Sequence, residues 1–141
     1  MLLYRPGVEE LLGGRGSGPD SGRVGPQVVR AYLSRQHFED VENSCPMVAL
    51  PTDVARSGES AKRAFETVFG AMVSVLERSS TENRGSRRIR AQATAALCVG
   101  GMIVARAMEN REGADELRDA CMAVALQLGG WDEGNELLLQ R

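Results

Sequence analysis

The residues most able to do chemistry are few. Cys45 precedes Pro46 in a polar stretch, and His37, the single histidine of the chain, stands eight residues before it. A thiol beside an imidazole is a workable nucleophile pair. No third residue to orient the imidazole and no oxyanion donor set accompanies it. A cysteine without such neighbours usually serves as a small buried hydrophobe. The reading is therefore no enzyme, with a Cys45 thiol enzyme as the minor alternative. Cys45, Cys98 and Cys121 are odd in number and widely spaced, which matches neither a disulfide framework nor a zinc knuckle. Seven glycines fall between Gly7 and Gly25, yet no GxxxxGK[ST] phosphate loop exists, because the only lysine is Lys62. No metal and no cofactor is expected.

One basic cluster stands out. Arg84, Arg87, Arg88 and Arg90 gather where a long apolar segment begins. Positive charge at a helix start opposes the helix dipole, so helix propensity does not explain it. The reading is that these arginines are solvated or pair with carboxylates across a subunit interface, rather than hold phosphate.

The elements that position these residues are helical. Residues 1–26 are rich in glycine and proline and are expected to form a flexible segment. Residues 27–130 are expected to form one domain and residues 131–141 a tail. Val28, Val29, Tyr32 and Leu33 mark a short helix over Gln27–Arg35, followed by a loop over His37–Ser44. Pro51 should split the apolar piece Met47–Arg56. Ser57 is read as the N-cap of a helix whose stripe is Ala61, Phe65, Val68, Phe69, Met72 and Leu76.

A long helix of roughly 36 Å follows, over Ser86–Glu109. It carries one apolar stripe of Ile89, Ala93, Ala96, Leu97, Gly100, Val104 and Met108. A second runs through Ala95, Cys98, Met102 and Ala105. A helix apolar on both sides must be buried on both sides. A chain of 141 residues has only one layer of helices to cover it, so the other side wants a partner molecule. Asn110–Gly113 reads as a turn. A last helix over Ala114–Leu128 shows Leu117, Cys121, Val124 and Leu128 on one stripe, with Gly129-Gly130 as its C-cap. No strand-like alternation occurs, so the expected class is all-α.

Composition removes several functions. Seventeen basic and nineteen acidic side chains give a net charge of −2, without the basic excess of a stand-alone nucleic-acid binder. Aromatic content of 4% argues against a base-stacking surface. The longest apolar run, Ala95–Ala105, falls short of the ~20 residues that span a bilayer. No secretory signal is visible, and the expected location is cytoplasmic, with no membrane partner.

Three stretches together resemble the C-terminal regulatory domain of the tetracycline-repressor-like (TetR/AcrR) transcriptional regulators. They are "RAYLSRQH", "SCPMVALPTDVARSGESAKRAFETVFGAMVSVL" and "AQATAALCVGGMIVARAMENREGADELRDACMAVAL". In the second, Cys45, Pro46, Ala49, Leu50, Asp53, Ala55, Arg56, Ser57 and Phe65 stand in matching places. The third resembles the family's two final helices, which pair with those of a second subunit as a four-helix bundle. Pro51 departs from the pattern. The resemblance implies an all-α bundle acting as the effector-binding and dimerisation module of a transcriptional regulator, a homodimer in that family's manner. A small apolar effector would meet Phe65, Phe69, Met72, Cys98 and Met102. The dimer would use Leu97, Gly100, Gly101, Val104, Leu117, Cys121 and Val124. Met1–Gly25 does not resemble the family's helix-turn-helix, so DNA contact is expected only through a domain not present in this chain. The alternative is an interaction protein without a DNA-reading head that heterodimerises with a full-length regulator and spoils its DNA binding.

Overall fold

A computed structural model describes residues 21–43, 45–49 and 51–131. Among the described residues seven helices follow in order: α1 (Ser21–Tyr32), α2 (Arg35–Glu39), α3 (Pro46–Ala49), α4 (Pro51–Ala55), α5 (Glu59–Ser79), α6 (Arg87–Ala107) and α7 (Arg111–Gly129). No strand occurs among the described residues. The all-α class is as expected. Residues 1–20 of the flexible segment expected over 1–26, Ser44, Leu50 and residues 132–141 of the tail expected over 131–141 lie outside the described residues.

Local chemistry sets the helix ends. Asn110 caps α7 by accepting from the Gly113 N–H at 3.0 Å, so α7 starts at Arg111, three residues before the expected point. It closes on Gly130, whose φ of 74° is the left-handed C-cap conformation that glycine takes without a side-chain clash. Trp131 N–H then donates to the Leu126 carbonyl and Gly130 N–H to Gln127. Pro51 does divide its segment, into α3 and α4. The Ser57 hydroxyl bonds back to the Asp53 carbonyl at 2.7 Å, closing α4, and the N-cap position of α5 falls to Gly58. Helix α1 begins at Ser21 and carries Pro26 inside it, six residues ahead of the expected start. Proline forfeits the one hydrogen bond that an N–H would make to the preceding turn, which leaves the start of α1 dependent on its packing. Helix α2 runs over Arg35–Glu39, capped by the Ser34 hydroxyl, and so takes up His37–Glu39 of the expected loop.

The three long helices form the body. A three-residue turn joins α6 and α7 into an antiparallel hairpin, and α5 packs beside α6. Helix α1 lies against α5, α6 and α7 and supplies Val29 and Leu33 to the core, both fully buried. The inner stripe of α6 is buried as expected: Ala95, Cys98, Met102 and Ala105 are all inaccessible. The C-terminal ends of α5 and α7 are tied together. Thr81 donates its hydroxyl to the Gly130 carbonyl at 2.8 Å, and the Trp131 indole N–H donates to the Ser79 carbonyl at 2.9 Å. Trp131, placed by expectation in the tail, instead lies against Gly25 and Gly129, where a Cβ would strike its ring.

Candidate functional site

The five residues assigned to an effector come together on the facing sides of α5 and α6, but as packing. Met72, Cys98 and Met102 belong to the hydrophobic core, with Cys98 and Met102 fully inaccessible. Phe65 and Phe69 are half-buried at its edge and stack on each other, with ring centroids 6.2 Å apart and planes 9° from parallel. Sequence spacing selects a shared face. It says nothing about whether that face is filled by side chains or left hollow.

Two buried polar atoms in this part of the core have no counterpart among the sequence expectations. The Thr94 hydroxyl, one turn before Cys98 on α6, is inaccessible and has no hydrogen-bond partner. The Tyr32 hydroxyl oxygen is also buried, and the Cys45 thiol, a weak partner at best, is the polar group that bears on it most. An orphaned buried hydroxyl costs roughly 1–3 kcal/mol. No sequence pattern signals such an atom, because it depends on what surrounds it.

The three cysteines are free and buried. Burial, reinforced by Cys121, pushes the Cys98 thiol up to about 12, and burial also raises Cys121. Burial, with Cys45, raises Tyr32 as well. The unfolded chain therefore releases these protons at lower pH than the folded one. Stability is full below the ordinary thiol value of 9.0 and falls as pH rises from there towards 12. The expected slope is about 1.4 kcal/mol per pH unit for each proton retained only by the folded chain. Urea unfolding followed by helical circular dichroism between pH 8 and 11 checks it, and a midpoint constant across that range contradicts it. His37, the other half of the conceivable thiol pair, packs its ring edge-on to Tyr32 and sets Nδ1 against the Tyr32 carbonyl.

Two of the cluster's four arginines form ion pairs inside the protomer. Arg88 lies 3.6 Å from Glu77, and Arg90 lies 3.8 Å from Glu82 and reaches the Leu128 carbonyl. Arg87 donates Nε to the Glu82 carbonyl at 2.7 Å. Carboxylates at the end of α5 and in the following loop offset the charge that opposes the α6 dipole.

The residues assigned to the dimer separate into three sets. Val104 and Val124 are exposed, at 52% and 41%. Gly100 faces open space, with nothing within 4 Å of where a Cβ would sit. Leu97 and Leu117 are half-buried against the core. Gly101 and Cys121 require correction: they face each other within the protomer. A Cβ on Gly101 would lie 2.8 Å from Cys121 Sγ and 3.1 Å from its Cβ. One residue is a rotation of about 100° on a helix, enough to move Gly101 from the outer face to the α6–α7 seam. Ile89, absent from the expected interface, is the most exposed large apolar side chain of α6, at 70%.

A polar cleft of about 250 Å³ opens between the end of α1 and α7, lined by Leu33, Ser34, Arg35, Asp115, Arg118, Asp119 and Met122. Its wall holds a buried guanidinium. Arg118 is 4% exposed, donates to the Leu33 carbonyl at 3.0 Å, pairs with Asp115 and lies 4.7 Å over the Phe38 ring. Among the described residues, no group of three or more His, Cys, Asp or Glu could hold a metal ion, and no helix is long and apolar enough to cross a membrane. No family model, no curated protein and no solved structure matches the chain.

Proposed function

We propose that this chain is the effector-binding and dimerisation module of a transcriptional regulator resembling the tetracycline-repressor-like family, and that it works as a homodimer. One observation carries the reading: α6 buries its inner stripe completely and leaves its outer stripe to solvent. Ile89, Ala93, Ala96 and Val104 are exposed along that outer face, with Val124 exposed on the neighbouring helix. Single exposed apolar residues are ordinary, but a row of them down one helix marks an interaction surface. Helices paired through such rows form bundles.

The effector would enter where Phe65 and Phe69 border Met72, Cys98 and Met102. The stacked rings are half-buried and adjustable, and methionine repacks around varied guests. The poorly partnered Tyr32 and Thr94 hydroxyls supply polar handles in that core. A ligand held there would favour one packing of α5 against α6 over another, and so bias the assembly built on α6.

Val104→Glu tests the dimer. The side chain points to solvent in the single chain, so the charge is tolerated by the protomer fold. The expected result is sedimentation as a monomer at micromolar concentration with unchanged helical circular dichroism, against a dimer for the natural chain. A natural chain that sediments as a monomer removes the proposal.

A further inference from the structure

We infer that two copies of this chain pair with their α6 helices antiparallel, about a twofold axis that passes beside Gly100. The inference rests on the dimer proposed above and adds its geometry. The occupant of the outer α6 face is a second copy, and two independent features fix its direction.

Shape is the first. Large and small side chains alternate unevenly along the ridge: Ile89 and Val104 are large, while Ala93, Ala96, Gly100 and Ala107 are small, and Gly100 has open space above it. In an antiparallel pair centred on Gly100, Val104 of each copy lies over Ala96 of the other, and Ala93 lies over Ala107. Val104 on Ala96 sets large on small, Ala93 on Ala107 sets small on small, and the two backbones come closest at Gly100, where no side chain separates them. A parallel pair would set Val104 on Val104 and Ile89 on Ile89, and hold the alanines and glycine between them apart as voids. Interiors are close-packed, so the arrangement without voids is favoured.

Charge is the second. The beginning of α6 is a basic end. Glu77 and Glu82 face Arg88 and Arg90, leaving Arg78, Arg84 and Arg87 without an ion pair among the described residues. The other end, where α6 turns into α7, is acidic. There Arg111 pairs with Glu39 and Arg118 with Asp115, while Glu109, Glu112, Glu116 and Asp119 have no ion pair among the described residues. Antiparallel copies bring basic end to acidic end; parallel copies bring like to like.

Cysteine crosslinking under a mild oxidant reads the geometry, because a disulfide needs Cα atoms about 4.4–6.8 Å apart. The three native thiols are buried. The test uses the full chain carrying Gly100→Cys, Ala93→Cys or Ala107→Cys singly, and a mixture of the last two, each read on a non-reducing gel beside sedimentation. The expected result is crosslinked dimer for Gly100→Cys alone and for the Ala93→Cys with Ala107→Cys mixture, and little for Ala93→Cys alone. Crosslinking of Ala93→Cys with itself as readily as Gly100→Cys overturns the antiparallel assignment while leaving the dimer. A dimer by sedimentation in which none of these positions crosslinks overturns the Gly100 axis. A monomer by sedimentation removes the assembly itself, and with it the reading on which the inference rests.

Discussion

Gly101→Ala destabilises the protomer by about 1–3 kcal/mol, whereas Gly100→Ala, one position away, stabilises it by about 0.5–1 kcal/mol. The opposite signs come from the rotation of about 100° that separates neighbouring helical residues. A methyl group on Gly101 meets Cys121 Sγ at 2.8 Å and Cys121 Cβ at 3.1 Å, with Leu33 Cδ2 at 3.4 Å behind them. Cys121 belongs to the rigid face of α7, and Leu33 is fully buried, so neither gives way cheaply. The hairpin must open along the seam that holds its two longest apolar surfaces together. A methyl on Gly100 meets nothing within 4 Å. There the substitution only removes the helix-interior penalty of glycine, about 0.8–1 kcal/mol relative to alanine. Both variants belong in the Val104→Glu background, where a dimer does not add its own dependence on Gly100. Urea midpoints by circular dichroism, with Trp131 fluorescence as a second probe, measure the pair. Equal effects of the same sign would contradict the packing described for α6 and α7.

That pair also locates what the sequence reveals and what it conceals. Helices α5, α6 and α7 are readable from apolar spacing because each has a strong period, and the two-sided character of α6 is readable because it has two such stripes. The inner one, Ala95 through Ala105, is buried, while Ile89 and Val104 of the outer one are exposed. Assignment of a single residue to a face is a finer matter. Gly100 and Gly101 look alike in sequence, and only the position of α7 decides which of them is crossed. Helix α1 is legible from Gln27 onward but not from Ser21, because the cost of glycine and proline there is offset by tertiary packing, with Gly25 against Trp131. For the effector residues, spacing places Phe65, Phe69 and Met72 on one face of α5. Whether a ligand or the core itself fills the space beside them depends on packing volume, which has no period. The arginine cluster is legible as an anomaly of the α6 dipole; its partners Glu77 and Glu82 lie in the preceding helix and loop.

Arg118 has the largest polar role in the fold and no sequence signature, since a single arginine in an amphipathic helix normally reads as solvated. Its guanidinium closes three interactions at once: the Leu33 carbonyl at the end of α1, the Asp115 carboxylate one turn back, and the face of Phe38. Together they lash α1 and α2 to α7. Arg118→Ala is expected to cost about 2–3 kcal/mol, because it strips a buried carbonyl of its charged donor. Loss of the Asp115 pair adds less than for a fully buried pair, since Asp115 keeps Arg35 at 3.3 Å and a side chain 35% exposed to water. Arg118→Lys recovers only part, because a single ammonium cannot serve the carbonyl and carboxylate as a fork while lying flat on the ring. Arg118→Met keeps the stem volume and separates lost packing from lost hydrogen bonds. The control is Arg111→Ala. Arg111 also bridges to the α2 segment, through Glu39, but it is 59% exposed, so its loss changes stability by only about 0–1 kcal/mol. Urea midpoints rank the four variants. If Arg118→Ala costs no more than Arg111→Ala, burial does not give Arg118 its role.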